Sequence, residues 1–371
     1  MADGDLSLVV GSRAFGGWQR IRITRGLERM PSDFDISLTE IYPGQADLLP
    51  VGPGQECAVM LGEDVVLTGR IDRYQAAISP EGHTVRVQGR GKCRNLVDCS
   101  AGIRQDGSTF MQISGGDALK IAGDLAAPFG ISVTRRDEEA GNIIPQFNIN
   151  FGETPFEVID RVARYRQVLA YEGTDGNLIL ARAGSGSMAS GFVLGENIEA
   201  ASVSLTVDER FSDYYVVWTS VDALTGIPQA GGTTGWTHAQ VSDPSMVEFR
   251  PHGFVSEQIV DGRDIAEDRA IWEMNRRNGR SQSIALTCDS WRDSAGKLWE
   301  PNARAYVHAP QIKIEHRSWL IGEVTFRRGE DGTHADVILT PPEAFEPAPS
   351  ALTNGLFQIY QAGPAGAAAA S

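Results

Sequence analysis

Cysteine is scarce in this chain: four residues in 371, Cys57, Cys93, Cys99 and Cys288. So few thiols exclude a disulfide framework and point to a protein that folds reduced, in a cytoplasm. Positive charge is also short. Thirty-three Lys and Arg face 48 Asp and Glu, leaving a net charge of −15. That balance excludes a protein that grips nucleic acid by neutralising phosphates, which needs clustered cations. No apolar run approaches the length of a membrane-spanning helix. The opening MADGDLSLVV lacks the basic region and apolar core of a signal peptide.

Catalytic and ligand-binding signatures are missing as well. GRGKC at 89–93 has neither the earlier glycine nor the Ser or Thr of a phosphate-binding loop. Cys93 and Cys99 are spaced too widely for a zinc knuckle, and no histidine follows them at ligand spacing. His308, His316 and His334 fall on neighbouring expected strands, with no acidic partner placed beside them by sequence. The acidic pairs Glu63-Asp64 and Glu138-Glu139 read as solvated turn charge rather than converging glycosidase carboxylates. GSGSM at 184 is linker-like, not a nucleophile elbow. The expectation is a protein that is not an enzyme and holds no cofactor and no metal.

What is present is β structure. Hydrophobic residues make up 42% and charged residues 22%, an ordinary globular balance, while 41 glycines and 18 prolines imply many turns. The length exceeds one typical core and implies two to four domains. Apolar residues alternate at Ile21 and Ile23, at Phe34, Ile36 and Leu38, and at Val85 and Val87, the period of strands with one wet face. Residues 1–100 therefore read as a first small β-barrel domain. Residues 101–190 read as α+β: a helix ending at Pro128 and Gly130, then a helix opened by Thr154, Pro155 and Glu157, a capping box with proline at the first helical position. A hairpin turning on Asp175-Gly176 follows, and GSGS at 184–187 reads as a linker. Residues 191–340 return to strands as a second barrel. It carries a polar loop insertion at about 219–254 and a helix at about 263–277 that stops at Asn278-Gly279. Residues 341–371 read as a flexible Ala/Pro/Gly-rich tail.

The two β blocks echo each other. The segment from Pro53 and the segment from Pro301 share a proline turn, a short strand, a longer strand around a central glycine (Gly69 or Gly322), a turn and a final alternating strand. They read as divergent copies of one barrel. A three-membered ring of such chains presents six barrels, able to match a six-fold partner on one side and a three-fold partner on the other.

ITRGLERMPSDFDISLTE (23–40), TGRIDRYQAAIS (68–79) and above all VRVQGRGKCRNLVDCSA (85–101) resemble the tail protein P family of Mu-like phages, baseplate hub proteins similar in architecture to the N-terminal part of VgrG proteins. The resemblance covers roughly residues 5–340. It implies a homotrimeric ring that joins the hexameric tail tube to a trimeric membrane-piercing spike and contacts baseplate wedge proteins. DNA would be only a transient passenger in its channel, which an acidic surface suits. It implies a virion protein assembled in the host cytoplasm, with no stable membrane association. The chain stops after the second barrel, so the spike would be a separate protein. The alternative reading is a carbohydrate- or receptor-binding β protein at the tail tip.

Two features suggest contacts. Arg20, Arg22, Arg25, Arg29, Arg70 and Arg73 form a basic cluster in the first barrel of an acidic chain, either a solvated face or an interface with the tube or a neighbouring subunit. Trp236, in the insertion, is a candidate partner anchor.

Overall fold

The computed structural model describes residues 6–40, 51–80, 82–136, 144–219, 236–255 and 263–347. The fold is mainly β, as the alternation predicts. The first seven strands are β1 (Leu6–Val10), β2 (Arg13–Phe15), β3 (Arg20–Gly26), β4 (Asp33–Glu40), β5 (Glu56–Leu61), β6 (Asp64–Ser79) and β7 (Gly82–Gly91). Their alternate residues Ile21, Ile23, Phe34, Ile36, Val59, Leu67, Val85 and Val87 are buried, so one face of each strand supplies the core.

The middle of the chain is α+β. Helix α1 (Arg94–Asp98) leads to β8 (Gln112–Gly116), α2 (Ala118–Ala126), β9 (Val133–Arg135), β10 (Ile144–Asn148), α3 (Pro155–Tyr165), β11 (Leu169–Glu172) and β12 (Leu178–Ala181). The capping box forms as expected. Thr154 Oγ1 accepts from the N–H of Glu157 at 3.2 Å, and the N–H of Thr154 donates to Glu157 Oε2 at 2.8 Å. Gly130 ends the turn after α2 in the left-handed region, and β11 and β12 form the hairpin around Asp175-Gly176. Val158, Ile159 and Val162 of α3 and Ile121 and Leu125 of α2 meet in a core of their own.

The remainder comprises β13 (Gly186–Ser187), β14 (Phe192–Val193), β15 (Ile198–Leu205), β16 (Asp213–Thr219), β17 (Trp236–Ser242), β18 (Pro251–Val255), α4 (Arg263–Arg280), β19 (Gln282–Cys288), β20 (Ala303–Ala309), β21 (Ile314–Gly329) and β22 (Gly332–Thr340). Four local expectations are corrected here. GSGS is not a loose linker, because Gly186 and Ser187 pair in parallel with β20. The insertion is not all loop: β17 and β18 flank β16 in a three-stranded sheet against which α4 packs. Asn278-Gly279 does not stop α4. Gly279 instead lets the backbone of Ala344 approach, since a Cβ there would lie 2.4 Å from the Ala344 nitrogen. The C-terminal segment begins ordered, with a 3-10 helix at Pro342–Phe345 packed on α4, while residues 348–371 lie outside the described residues.

The two expected barrels are not separate. Fourteen strands join in one sheet whose path runs β15-β19-β22-β21-β3-β4-β7-β6-β5-β1-β2, with β20 also on β21 and with β13 and β14 on β20. No ladder among the described residues closes either half, and a single hydrophobic core runs beneath both. The cause is the ladder between β21 and β3, which welds the halves edge to edge.

The echo itself is structural. The order β3-β4-β7-β6-β5 repeats as β15-β19-β22-β21-β20. β6 and β21 are both sixteen residues long. Each skips one residue against its following strand, Asp72 in β6 and Gly322 in β21, and each ends at an equivalent turn, Ser79↔Gly82 and Gly329↔Gly332. The bulges therefore align Asp72, not Gly69, with Gly322. Gly69 is required by another close approach: a Cβ there would lie 2.0 Å from the Arg90 carbonyl oxygen.

Candidate assembly surface

The weld between the halves shows how these strands associate. β3 and β21 run antiparallel with Ile21↔Arg328, Ile23↔Phe326 and Arg25↔Val324 on the core side, and with Arg22↔Arg327, Thr24↔Thr325 and Gly26↔Glu323 on the other. Phe326, Val324 and Ile23 are fully buried there. The Thr24 and Thr325 hydroxyls are 3.0 Å apart, a cross-strand hydrogen bond. Arg22 and Arg29 both reach Asp33 at 2.6 Å, and Arg29 also reaches Glu323 at 3.5 Å. Burial alone would lower the pKa of Arg29, but Asp33 and Glu323 outweigh it and hold the guanidinium above its ordinary value.

The arginine cluster therefore divides. Arg22 and Arg29 come together on Asp33. Arg70 meets Glu56 and donates to the Gly54 carbonyl. Arg20 is exposed, 3.9 Å from Glu330. Arg73 is exposed on the edge of β6. Arg25 is only 4% exposed, so it is no surface contact. Burial lowers its pKa against the pull of Glu300 and Glu172, and its Nε has no hydrogen-bond partner among the described residues. The side chain of Trp236 lies outside the described residues, although its backbone opens β17.

Behind the weld sits a polar clamp that sequence reasoning missed. Glu172, 4% exposed at the end of β11, accepts from the N–H of Ser32 and from the N–H of Cys93, each at 2.8 Å. It thereby ties the α+β segment to the β3–β4 turn and to the chain leaving β7. Burial pushes its carboxyl above the ordinary carboxylate range, with those two N–H groups pulling it back. Asn302, also buried, donates to the Arg182 carbonyl at 2.9 Å and accepts from the N–H of Gly184 at 2.7 Å, fastening the second half to the same segment. The sequence placed Glu172 only on a hairpin turning at Asp175-Gly176, which does not tell a buried acid from an exposed one.

Two stretches of backbone are left without a partner strand on one edge among the described residues. Gly69 and Arg70 pair with both β5 and β7, so β5 and β7 lie on opposite edges of β6. Past the bulge, Arg73–Ile78 pair only with β7 among the described residues, none of which pairs with the other edge. Among the described residues β15 pairs only with β19 along Ala201–Leu205. Ile78 is 86% exposed and Leu205 54% exposed. Ala201–Leu205 carry no charge or proline of the kind that proteins place on edges kept apart from other chains, and Arg73–Ile78 carry only Arg73, beside the bulge. Among the described residues no three His, Cys, Asp or Glu side chains converge as metal ligands, and no described helix is long and apolar enough to cross a membrane.

Residues 5–91 match the family described as Mu phage baseplate assembly protein GpP-like, N-terminal. Residues 93–182 match baseplate hub protein gp44-like, second domain, and residues 263–348 match Mu phage baseplate assembly protein GpP, fourth domain. The sequence is 28% identical over 355 residues to the baseplate hub protein gp44 of Escherichia phage Mu, covering 92% of this chain and 88% of that protein. The 43 kDa tail protein of prophage MuSo2 from Shewanella oneidensis superposes with a TM-score of 0.78 at 30% identity, over 92% of this chain and 99% of that one. The tail protein from Neisseria meningitidis MC58 superposes with a TM-score of 0.74 over 94% and 99% of the two chains. At 21% identity it speaks for the fold alone.

Proposed function

Because this chain belongs to the Mu phage baseplate hub family, we propose that three copies close into a ring joining the hexameric tail tube to a trimeric membrane-piercing spike. The ring encloses part of the channel through which DNA leaves the particle. One observation carries this reading: the five-strand unit occurs twice in each chain with the same order, bulge and turn. Three chains then supply six near-equivalent units, so a six-fold tube rim and a three-fold spike each meet a surface of their own symmetry. The role requires rigidity and no catalysis. The chain acts as a baseplate component of the virion, assembled in the host cytoplasm, with wedge proteins around it and no resident cofactor.

On this reading the 1–100 and 191–340 blocks form the ring wall, and the 101–190 block, clamped by Glu172 and Asn302, stands beside it. Arg20 and Arg73, exposed on the first block, together with Trp236, are contacts to the tube or to a neighbouring subunit. The test is the solution mass of purified protein by light scattering after gel filtration, over a range of concentrations. A mass about three times the 40.1 kDa chain is expected. A monomer at every concentration, unchanged when spike protein is added, overturns the reading.

A further inference from the structure

We propose that the outer edge of β8, in the α+β segment, holds an extended acidic stretch of another protein as an added strand. This goes beyond the ring reading and does not rest on it.

β8 pairs only with β10 among the described residues. The register is Asn148↔Gln112, Phe147↔Ile113 and Gln146↔Ser114, and the N–H of Ile149 donates to the Met111 carbonyl at 2.9 Å. Opposed residues of an antiparallel pair exchange hydrogen bonds only at alternate positions. Met111 and Ile113 therefore turn their backbone groups toward β10, and Gln112 and Ser114 turn theirs the other way. No described residue bonds those outward N–H and C=O groups. The stretch carries no charge and no proline to keep a further strand off.

Gln112, Ile113 and Ser114 line a cleft of about 620 Å³. Helix α2 adds Lys120 and Asp124 to its wall, and the loop before β8 adds Arg104 and Phe110. The Gln105 amide donates to the Pro128 carbonyl at 2.5 Å, which ties that loop to the turn after α2 and fixes the walls. A walled slot along a strand edge suits one extended segment, held by main-chain bonds and chosen by its side chains.

The charges of the cleft choose the occupant. Lys120 is held by Asp124 at 2.7 Å, and Asp106 accepts from the N–H of Ser108 at 2.8 Å. Arg104 lies 4.4 Å over the Phe110 ring and has no carboxylate within ion-pair distance among the described residues. Its planar fork is left for an incoming carboxylate. Gln112 and Ser114 bond to each other at 3.3 Å on the exposed face, while Ile113 is buried. An added strand therefore alternates polar, apolar, polar along them, and carries an acidic side chain for Arg104.

The probes are two blocked peptides, Ac-TVEVT-NH2 and Ac-TVKVT-NH2, added to the purified full-length protein. Hydrogen exchange resolved to single residues should find amides 112 and 114 open in the parent. With the glutamate peptide at about four times its Kd they should slow about fivefold, while amide 113, bonded to β10, stays as it was. The lysine peptide should bind about fivefold more weakly, and R104A should bring the two together. Ser114→Pro removes an outward N–H and fills the edge with its ring, yet costs no bond to β10. At parental melting temperature it should lose the peptide; if it fails to fold, Q112P takes its place, and if both fail the exchange pattern of the parent decides. No binding of either peptide at millimolar concentration, equal binding of both to the parent, or undiminished binding to folded S114P overturns the proposal. So does protection of 112 and 114 without peptide, since the edge is then already covered by the protein itself.

Discussion

Replacing Glu172 by glutamine isolates the clamp between the α+β segment and the sheet. Two buried N–H groups, from Ser32 and Cys93, each claim one carboxylate oxygen at 2.8 Å. An amide offers one acceptor, and its NH2 group faces the second N–H. One buried donor is left unpaired, at a cost of about 1–3 kcal/mol. E172A leaves both donors unpaired and costs about 2–6 kcal/mol. The assay is denaturant unfolding of both variants and the parent at one protein concentration, since an assembling protein's apparent stability depends on it. A pH series adds a second readout. Burial holds the Glu172 pKa above the ordinary carboxylate range. Between that range and the raised value, the folded chain keeps a proton that the unfolded chain has released. Stability from this group therefore falls as pH climbs through that window. E172Q should remove the slope. An E172Q variant within about 0.5 kcal/mol of the parent, the scatter of inert surface changes, refutes the view that the two carboxyl oxygens serve both donors.

Three further outcomes follow from the packing. G322A puts a methyl group 2.6 Å from the Phe345 ring and should cost about 1–3 kcal/mol by overpacking; in an F345A background most of that cost should vanish in a double-mutant cycle. Asp243 lies 2.6 Å from Arg210. Burial pushes its carboxyl up, but bonds from Ser245 and Arg210 outweigh it and hold it below the ordinary range. Its stabilisation is thus present above the ordinary carboxylate pKa and fades as pH falls through the depressed one, so D243N should flatten the acid limb of a stability profile and cost about 3 kcal/mol at neutral pH. Burial pushes the Cys57 thiol up to about 12 and Cys288 to about 11; with Cys93 also buried, a thiol reagent at pH 8 should label Cys99 first and the other three only on unfolding.

Local signals in the sequence were read well where one residue type has one meaning. Thr154, Pro155 and Glu157 could hardly do anything but open a helix, and Asp175-Gly176 between apolar strands turns a hairpin. Glycine misled, because it marks a turn and a close approach alike. Gly279 reads as a helix stop but makes room for Ala344, and Gly322 reads as a strand bend but also makes room for Phe345. The duplication was legible while its register was not, since bulges are set by pairing between strands and not by either strand alone. Arg25 and Glu172 were invisible as buried groups for the same reason. Their surroundings come from distant parts of the chain: Ser32 meets Glu172 across 140 residues of sequence.

The five-strand unit occurs twice in the chain, alike but not identical, and in the proposed ring each copy meets its two neighbours through different faces. No pair of copies can satisfy both faces, so only closure does. Such a circle has no redundancy. A chain with one blocked face still docks through the other and halts the circle it has joined. With one chain in five blocked, only about half of three-membered rings formed at random would contain none. A mixture of intact and face-blocked chains should therefore lose trimers faster than it loses intact protein.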